Sequence, residues 1–302
     1  MRILFCSDPL NGKSVDPDYL QEYECARKLG LDVHLFSLED ALGGAYARAV
    51  KQIPVLDTPE TFVYRGWMMK PQVYAGLYAE LLRRGAVLIN TPEQYRNGHY
   101  FPYAYEAIRE ATPRSIWVEE AELDEGLAAV YERMNVFGAG PVLIKDYVKS
   151  RKHEWEEACW IPDASDRQRA MTVLRNFVER QGSELSGGLV IREFVPLEQL
   201  AVHPKSGMPL SNEYRLFFLH HRLIADAAYW DEAEYEQEMP DLIRFTELAQ
   251  KLDSAFFTMD IARTAAGDWT VIEAGDGQVS GLPGHADPER FYRALMEGAE
   301  RD

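Results

Sequence analysis

Hydrophobic and polar positions follow two rhythms along the chain. Over residues 1–90, short apolar runs at 2–6, 32–36, 61–64 and 86–89 alternate with helical spacing at 19–29, 39–49 and 73–83. Strand–helix alternation of this kind predicts a parallel sheet with helices on its faces. Thr91-Pro92-Glu93 reads as a helix start, with proline at the first helical position. That helix is expected to run to about Glu110. From Pro113 the rhythm changes. Strands are expected at 114–118, 141–148 and 189–195, and helices at 121–134 and 166–181. A hairpin of 214–219 with 222–229, a helix at 239–251, a second hairpin within 257–281 and a helix at 287–298 complete the chain. Mixed hairpins and helices predict α+β units with antiparallel sheets. The expected fold class is therefore α/β followed by α+β.

At 302 residues the chain has room for two or three compact units. Its net charge of −17 argues against a broad nucleic-acid or anionic membrane surface. Cys6, Cys25 and Cys159 lie far apart, with no CxxC pair, which fits a reducing cytosol better than a disulfide framework or zinc site. The opening MRILFCS reads as a first strand and not a signal peptide, and no apolar run approaches the ~20 residues that span a bilayer. A cytoplasmic location is expected. Gly12-Lys13-Ser14 lacks the upstream glycine of a phosphate-cradling loop, and the seven histidines are scattered.

Candidate chemistry lies in the second half. Folding 257–281 about Ala266-Gly267 places Asp260 directly opposite Glu273. Opposed like charges destabilise a strand pair, so either both are solvated at an edge or a cation such as Mg²⁺ sits between them. Lys145 occupies the middle of the apolar strand PVLIKDYV, sharing a face with Leu143 and Tyr147. Lys149, Arg151 and Lys152 follow, the one dense basic patch of an acidic chain. The phosphates of a nucleotide would explain the patch; a snorkelling edge lysine would explain Lys145. Glu193-Phe194-Val195 ends a strand and could offer backbone groups to an adenine ring. Folding 214–229 about His220-His221 sets Arg215 opposite Asp226, as a cross-strand salt bridge or as a cation for phosphate or carboxylate. Arg65, at the strand end VYRGW, suits either a structural role or a substrate carboxylate at a sheet's C-terminal edge.

The order of IKDYVKS (144–150), REFV (192–195), EYRLFFLHHRLI (213–224) and MDIARTAAGDWTVIEAGDG (259–277) resembles the ATP-grasp superfamily, and in particular a bacterial and phage-type branch of it. The resemblance covers about residues 90–290, and residues 1–92 are similar to the domain that often precedes ATP-grasp. It implies three units: 1–92, an N-terminal ATP-grasp subdomain 93–195 with a linker helix, and a C-terminal subdomain 196–302. It implies ATP and Mg²⁺ as cofactors, and an enzyme that joins a carboxylate to an amine, on a small molecule or peptide, through an acyl phosphate. A small-molecule kinase and a non-catalytic nucleotide-binding scaffold are the alternatives. By the same resemblance, Lys145 binds the α- and β-phosphates, and Lys149 lies in a loop over the nucleotide. Glu193, Phe194 and Val195 line the adenine pocket, and Glu198 reaches the ribose. Arg215 lies near the γ-phosphate or acyl phosphate, and Asp260 and Glu273 hold magnesium. The family's usual Glu-x-Asn is replaced here by Glu273-Ala274-Gly275, which leaves Asp276, one residue late, as the candidate second metal ligand.

Overall fold

The computed structural model describes residues 1–204, 208–235 and 239–299. Its N-terminal part is a parallel sheet in the order Asp32–Phe36, Arg2–Asp8, Glu60–Arg65, Ala86–Leu88. Arg2–Asp8 lies in the middle and buries Ile3 to Cys6 completely, as a strand covered on both faces must. An unforeseen strand, Asn11–Val15, doubles back antiparallel on the end of Arg2–Asp8. It contains the Gly12-Lys13-Ser14 stretch, which is therefore extended chain and not a phosphate loop.

Two antiparallel four-stranded sheets follow. The first has the order Ser115–Glu119, Gly188–Glu193, Val142–Asp146, Trp160–Ile161. Helix Arg167–Gln181 covers it with Ala170, Val173, Leu174, Phe177 and Gln181, the stripe expected of an amphipathic helix. The second has the order Arg222–Ala228, Glu213–Leu219, Phe256–Arg263, Trp269–Asp276. One face packs Leu216, Phe218, Phe257 and Met259 on helices Phe101–Ile108 and Ile243–Ala249. On the other face Phe217, Leu219 and Phe256 share a core with Phe291, Tyr292 and Leu295 of helix Pro288–Ala299 and with Ile3, Phe5 and Val63 of the N-terminal sheet. That core seats the N-terminal sheet against the last one.

Several expected helices are shorter because a local residue breaks them. Gly43-Gly44, with Gly44 at φ +75°, splits 39–49 into Leu38–Leu42 and Tyr46–Ala49. Gly126, at φ +96°, leaves only Leu127–Arg133 as α-helix in 121–134. The helix begun by Thr91, whose side chain forms a capping box with Gln94, ends at His99. Pro102, with no N–H to continue it, sits in the first turn of a second helix, Phe101–Ile108. A five-residue π-helix, Trp155–Cys159, was not signalled by the pattern.

Candidate active site

Lys145 projects from Val142–Asp146 while its neighbours Val142 and Ile144 pack into the core beneath helix Arg167–Gln181. Its Nζ lies 3.3 Å from Glu273 Oε2 and 5.8 Å above the Phe101 ring. The side chain is only 12% exposed, so a paired charge is what makes it tolerable there. Lys145 thus bridges the two antiparallel sheets. Beside it, Arg192 is buried and donates to the Val271 and Ile272 carbonyls and to Thr112 Oγ1, which locks the sheets together next to Glu273. Burial brings the Arg192 guanidinium down to about 10.

Asp260 does pair with Glu273. The route to that register differs from a symmetric hairpin: near the turn Ile261 pairs with Val271, and a bulge at Ile272 then brings Glu273 opposite Asp260. The positive partners come from elsewhere in the sheet. Arg215 sits opposite Asp260 on the neighbouring strand and clamps it through two hydrogen bonds, Nε to Oδ1 at 2.8 Å and Nη2 to Oδ2 at 2.7 Å. Arg215 Nη1 also donates to the Gly281 carbonyl at 3.0 Å, and the guanidinium lies 4.9 Å from the Tyr229 ring. The expected pairing of Arg215 with Asp226 is corrected. The His220-His221 turn forms as read, both residues having positive φ. A bulge at Ile224 then shifts the register by one, so Arg215 meets Ala227. Asp226 falls opposite Leu216 and reaches Arg290 at 3.7 Å.

Burial pushes the Asp260 carboxyl up against the pull of Arg215. Desolvation also opposes charge on Glu273, but Lys145, then Lys152 and Arg215, hold it below the ordinary carboxylate value. Glu273 opens onto a cleft of about 270 Å³ lined also by Met68, His99, Lys145, Arg215 and Tyr229, among others.

Residues 135–295, just over half of the chain, match the model of the ATP-grasp domain, R2K clade family 3. The chain belongs to this ATP-grasp family. Its fold is also that of solved ATP-grasp proteins. The ATP-grasp ligase PsnB, complexed with minimal precursor, Mg and ADP, superposes with a TM-score of 0.56 at 16% identity, over 99% of this chain and 98% of that one. D-cycloserine synthetase DcsG gives 0.56 at 16% identity, over 98% and 99%. D-alanyl-alanine synthetase A from Vibrio cholerae gives 0.54 at 13% identity, over 100% and 99%. No curated protein sequence matches the chain. Among the described residues, no helix is long and apolar enough to cross a membrane.

The remaining expected site residues of this ATP-grasp chain divide. Lys149 is exposed, in a tight turn where its N–H and that of Val148 are received by Asp146 Oδ1. Glu193 is exposed at the strand end, and Phe194 meets Trp155 and Trp160 edge-on at 5.9 and 6.3 Å. Val195 is half-buried in the connector that follows. Glu198 pairs with Arg263 at 2.9 Å and accepts from Asn212 at 2.9 Å, which ties that connector to the last sheet.

Two expected roles are corrected. Asp276 lines the same cleft as Glu273, but its carboxylate is already committed to other partners. It pairs with Phe257, is fully buried, and accepts from Asn90 Nδ2 at 2.5 Å and the Gln278 N–H at 3.0 Å. Three positions along the strand turn its side chain from the face of Glu273, and Asn90 takes one carboxylate oxygen and Gln278 the other. Arg65 does not face a substrate. It is fully buried, with Nε and Nη2 on the two oxygens of Glu22 at 2.9 and 3.0 Å and Nη1 on the Gly277 and Ser280 carbonyls at 2.6 and 2.8 Å.

Two further buried residues stand out, His99 in the cleft and Glu213 on strand Glu213–Leu219. His99 is buried, stacked between Tyr95 at 5.0 Å and Tyr100 at 5.8 Å, and makes no hydrogen bond among the described residues. Burial lowers its pKa to about 4, so it is neutral at pH 7. Nothing in its spacing marks it. Glu213 is buried on the same sheet face as Arg215, bonded to Ser211 Oγ at 2.9 Å, and burial raises it to about 7. The Glu-x-Arg alternation was its only signal.

The Asp276 carboxyl is pushed up to about 7 by burial, from an ordinary value of 3.8. Below 3.8 it is protonated in both folded and unfolded chains, and its contribution to stability is fully present. As pH rises toward 7 only the unfolded chain releases the proton, and stability is lost by about 1.4 kcal/mol per pH unit. Asp276→Asn removes this dependence. Urea unfolding at pH 5 and pH 8 is expected to show a smaller decline for the variant; equal declines would reject the assignment.

Proposed function

We propose that the chain is an ATP- and Mg²⁺-dependent ligase joining a carboxylate to an amine, on a small molecule or peptide, through an acyl phosphate. The observation that carries this reading is the convergence of Lys145, Arg215 and Glu273 on one cleft of an ATP-grasp chain, with Asp260 clamped to Arg215 and paired with Glu273. The solved complexes of PsnB with Mg and ADP support the choice of nucleotide and ion.

The donor set suits magnesium of one kind. Among the described residues no three His, Cys, Asp or Glu side chains form a cage. Both oxygens of Asp260 already receive Arg215, while Glu273 is more open, with 38% of its side chain exposed. Mg²⁺ typically takes one or two carboxylates and completes its shell with water and substrate phosphates. Glu273, supported by Asp260, fits such an ion arriving with the nucleotide. Glu273 would hold the ion beside Lys145 and Arg215, where its charge would add to theirs against the phosphates.

In this reading Lys145 holds the α- and β-phosphates and Lys149 lies over them. Glu193, Phe194 and Val195 border the adenine, with Glu198 toward the ribose. A carboxylate oxygen of the substrate attacks the γ-phosphorus and ADP leaves. Arg215, fixed by Asp260, faces the transferring group. The amine then attacks the acyl carbon, phosphate departs, and the amine's proton is lost. Positioning and electrostatics dominate such phosphoryl transfer.

A second reading, a nucleotide-binding scaffold without turnover, is favoured by Gly275 and by the commitment of the buried Asp276 carboxylate to Asn90 and Gln278. ADP release with amino acids and short peptides, supplied as carboxylate and amine separately and together, separates the cases. A ligase makes product only with both partners, a kinase needs one acceptor, and a scaffold binds Mg·ATP without releasing ADP.

A further inference from the structure

Strand Glu60–Arg65 of the N-terminal sheet docks on the turn that follows the Glu273 strand. Gly66 N–H donates to the Gln278 carbonyl at 3.3 Å, Tyr64 N–H to Gln278 Oε1 at 3.3 Å, and Arg65 Nη1 to both the Gly277 and Ser280 carbonyls. Arg65 is itself held by Glu22, which also accepts from Tyr292 at 2.8 Å, and it stacks 5.2 Å from Phe291. The same turn ends at Gly281, whose carbonyl receives Arg215 Nη1. A fork that spans one carboxylate and two carbonyls fixes direction as well as charge, which lysine cannot do.

We propose that Arg65 is a positioning residue for Arg215: through turn 277–281 it sets the Gly281 carbonyl, and with it the one arm of Arg215 that Asp260 does not hold. Asp260 takes Nε and Nη2, so Nη1 is the arm left to meet a γ-phosphate, and Gly281 decides where it points. The N-terminal unit thereby acts on phosphate recognition without touching the nucleotide. This inference rests on the ATP-dependent reading above.

Mg·ATP and Mg·ADP affinities measured by calorimetry test it. Wild type is expected to prefer Mg·ATP, and Arg215→Ala to lose the preference. Arg65→Met with Glu22→Gln, which strands no buried charge, should weaken Mg·ATP binding about tenfold, the scale of one charge-assisted hydrogen bond. Mg·ADP binding should stay unchanged. Arg65→Lys, which keeps the charge beside Glu22 but not the fork, gives the same comparison if the double variant does not fold. A purely structural role would weaken both nucleotides together, or neither, and either result overturns the proposal. Equal wild-type affinity for the two nucleotides would overturn it while leaving the ligase reading in place; no wild-type binding of Mg·ATP would overturn that reading itself.

Discussion

Lys145→Met is expected to weaken Mg·ATP binding by at least about tenfold, with little change in thermal stability. Among the described residues the ammonium is the one cation within bonding distance of Glu273, and a hydrogen bond to a charged group contributes about 1.5–3 kcal/mol. Methionine keeps an unbranched stem of similar length while removing the ammonium that sits over Phe101, so packing is largely preserved. The variant also leaves Glu273 with only the more distant Lys152 and Arg215 to hold its carboxyl low, which should shift the pH dependence of metal-supported binding upward. Calorimetry with and without Mg²⁺ on both proteins measures the effect. Unchanged affinity in the variant would remove Lys145 from the nucleotide site.

Arg65→Met alone is expected to be strongly destabilising where the N-terminal sheet meets the turn after Trp269–Asp276, by about 3–5 kcal/mol, the cost of leaving one half of a buried ion pair unpaired. Glu22 would keep only the Tyr292 hydroxyl, and the Gly277 and Ser280 carbonyls would lose their shared donor. Urea unfolding should show a lower midpoint with an unchanged slope, and adding Glu22→Gln should restore much of the loss. A deficit below about 1 kcal/mol would place Arg65 among weakly coupled surface pairs, in conflict with its complete burial.

Both predictions turn on residues that were visible in the sequence, yet to different degrees. Lys145 was legible because strand alternation is local: a charged residue at the centre of PVLIKDYV stands out whatever surrounds it. Asp260 and Glu273 were legible because a short hairpin carries its own register, and the bulge at Ile272 happened to preserve that pairing. The hairpin of Arg215 shows how narrow the margin is. One extra residue at Ile224 moved Asp226 to the other face and left Arg215 to find Asp260, 45 residues away. Glycine breaks at Gly44 and Gly126 shortened helices whose apolar spacing ran through them.

By itself, the sequence determined the parallel sheet at the N-terminus, the antiparallel hairpins after it, the strand positions of Lys145, Asp260 and Glu273, and the order of motifs that marks an ATP-grasp chain. Periodicity and turn chemistry act over a few residues, and each of these features is written at that range. Only the tertiary structure decided which charges are spent and which remain open. Arg65 is consumed by Glu22 and the 277–281 turn, Asp276 by Asn90 and Gln278, and the His99 ring at the cleft has stacking partners but no hydrogen bond among the described residues. Those outcomes depend on partners up to 215 positions distant, brought together when the N-terminal sheet packs on the last one. A buried polar group must satisfy its hydrogen bonds wherever packing places it, and no local pattern records where that is.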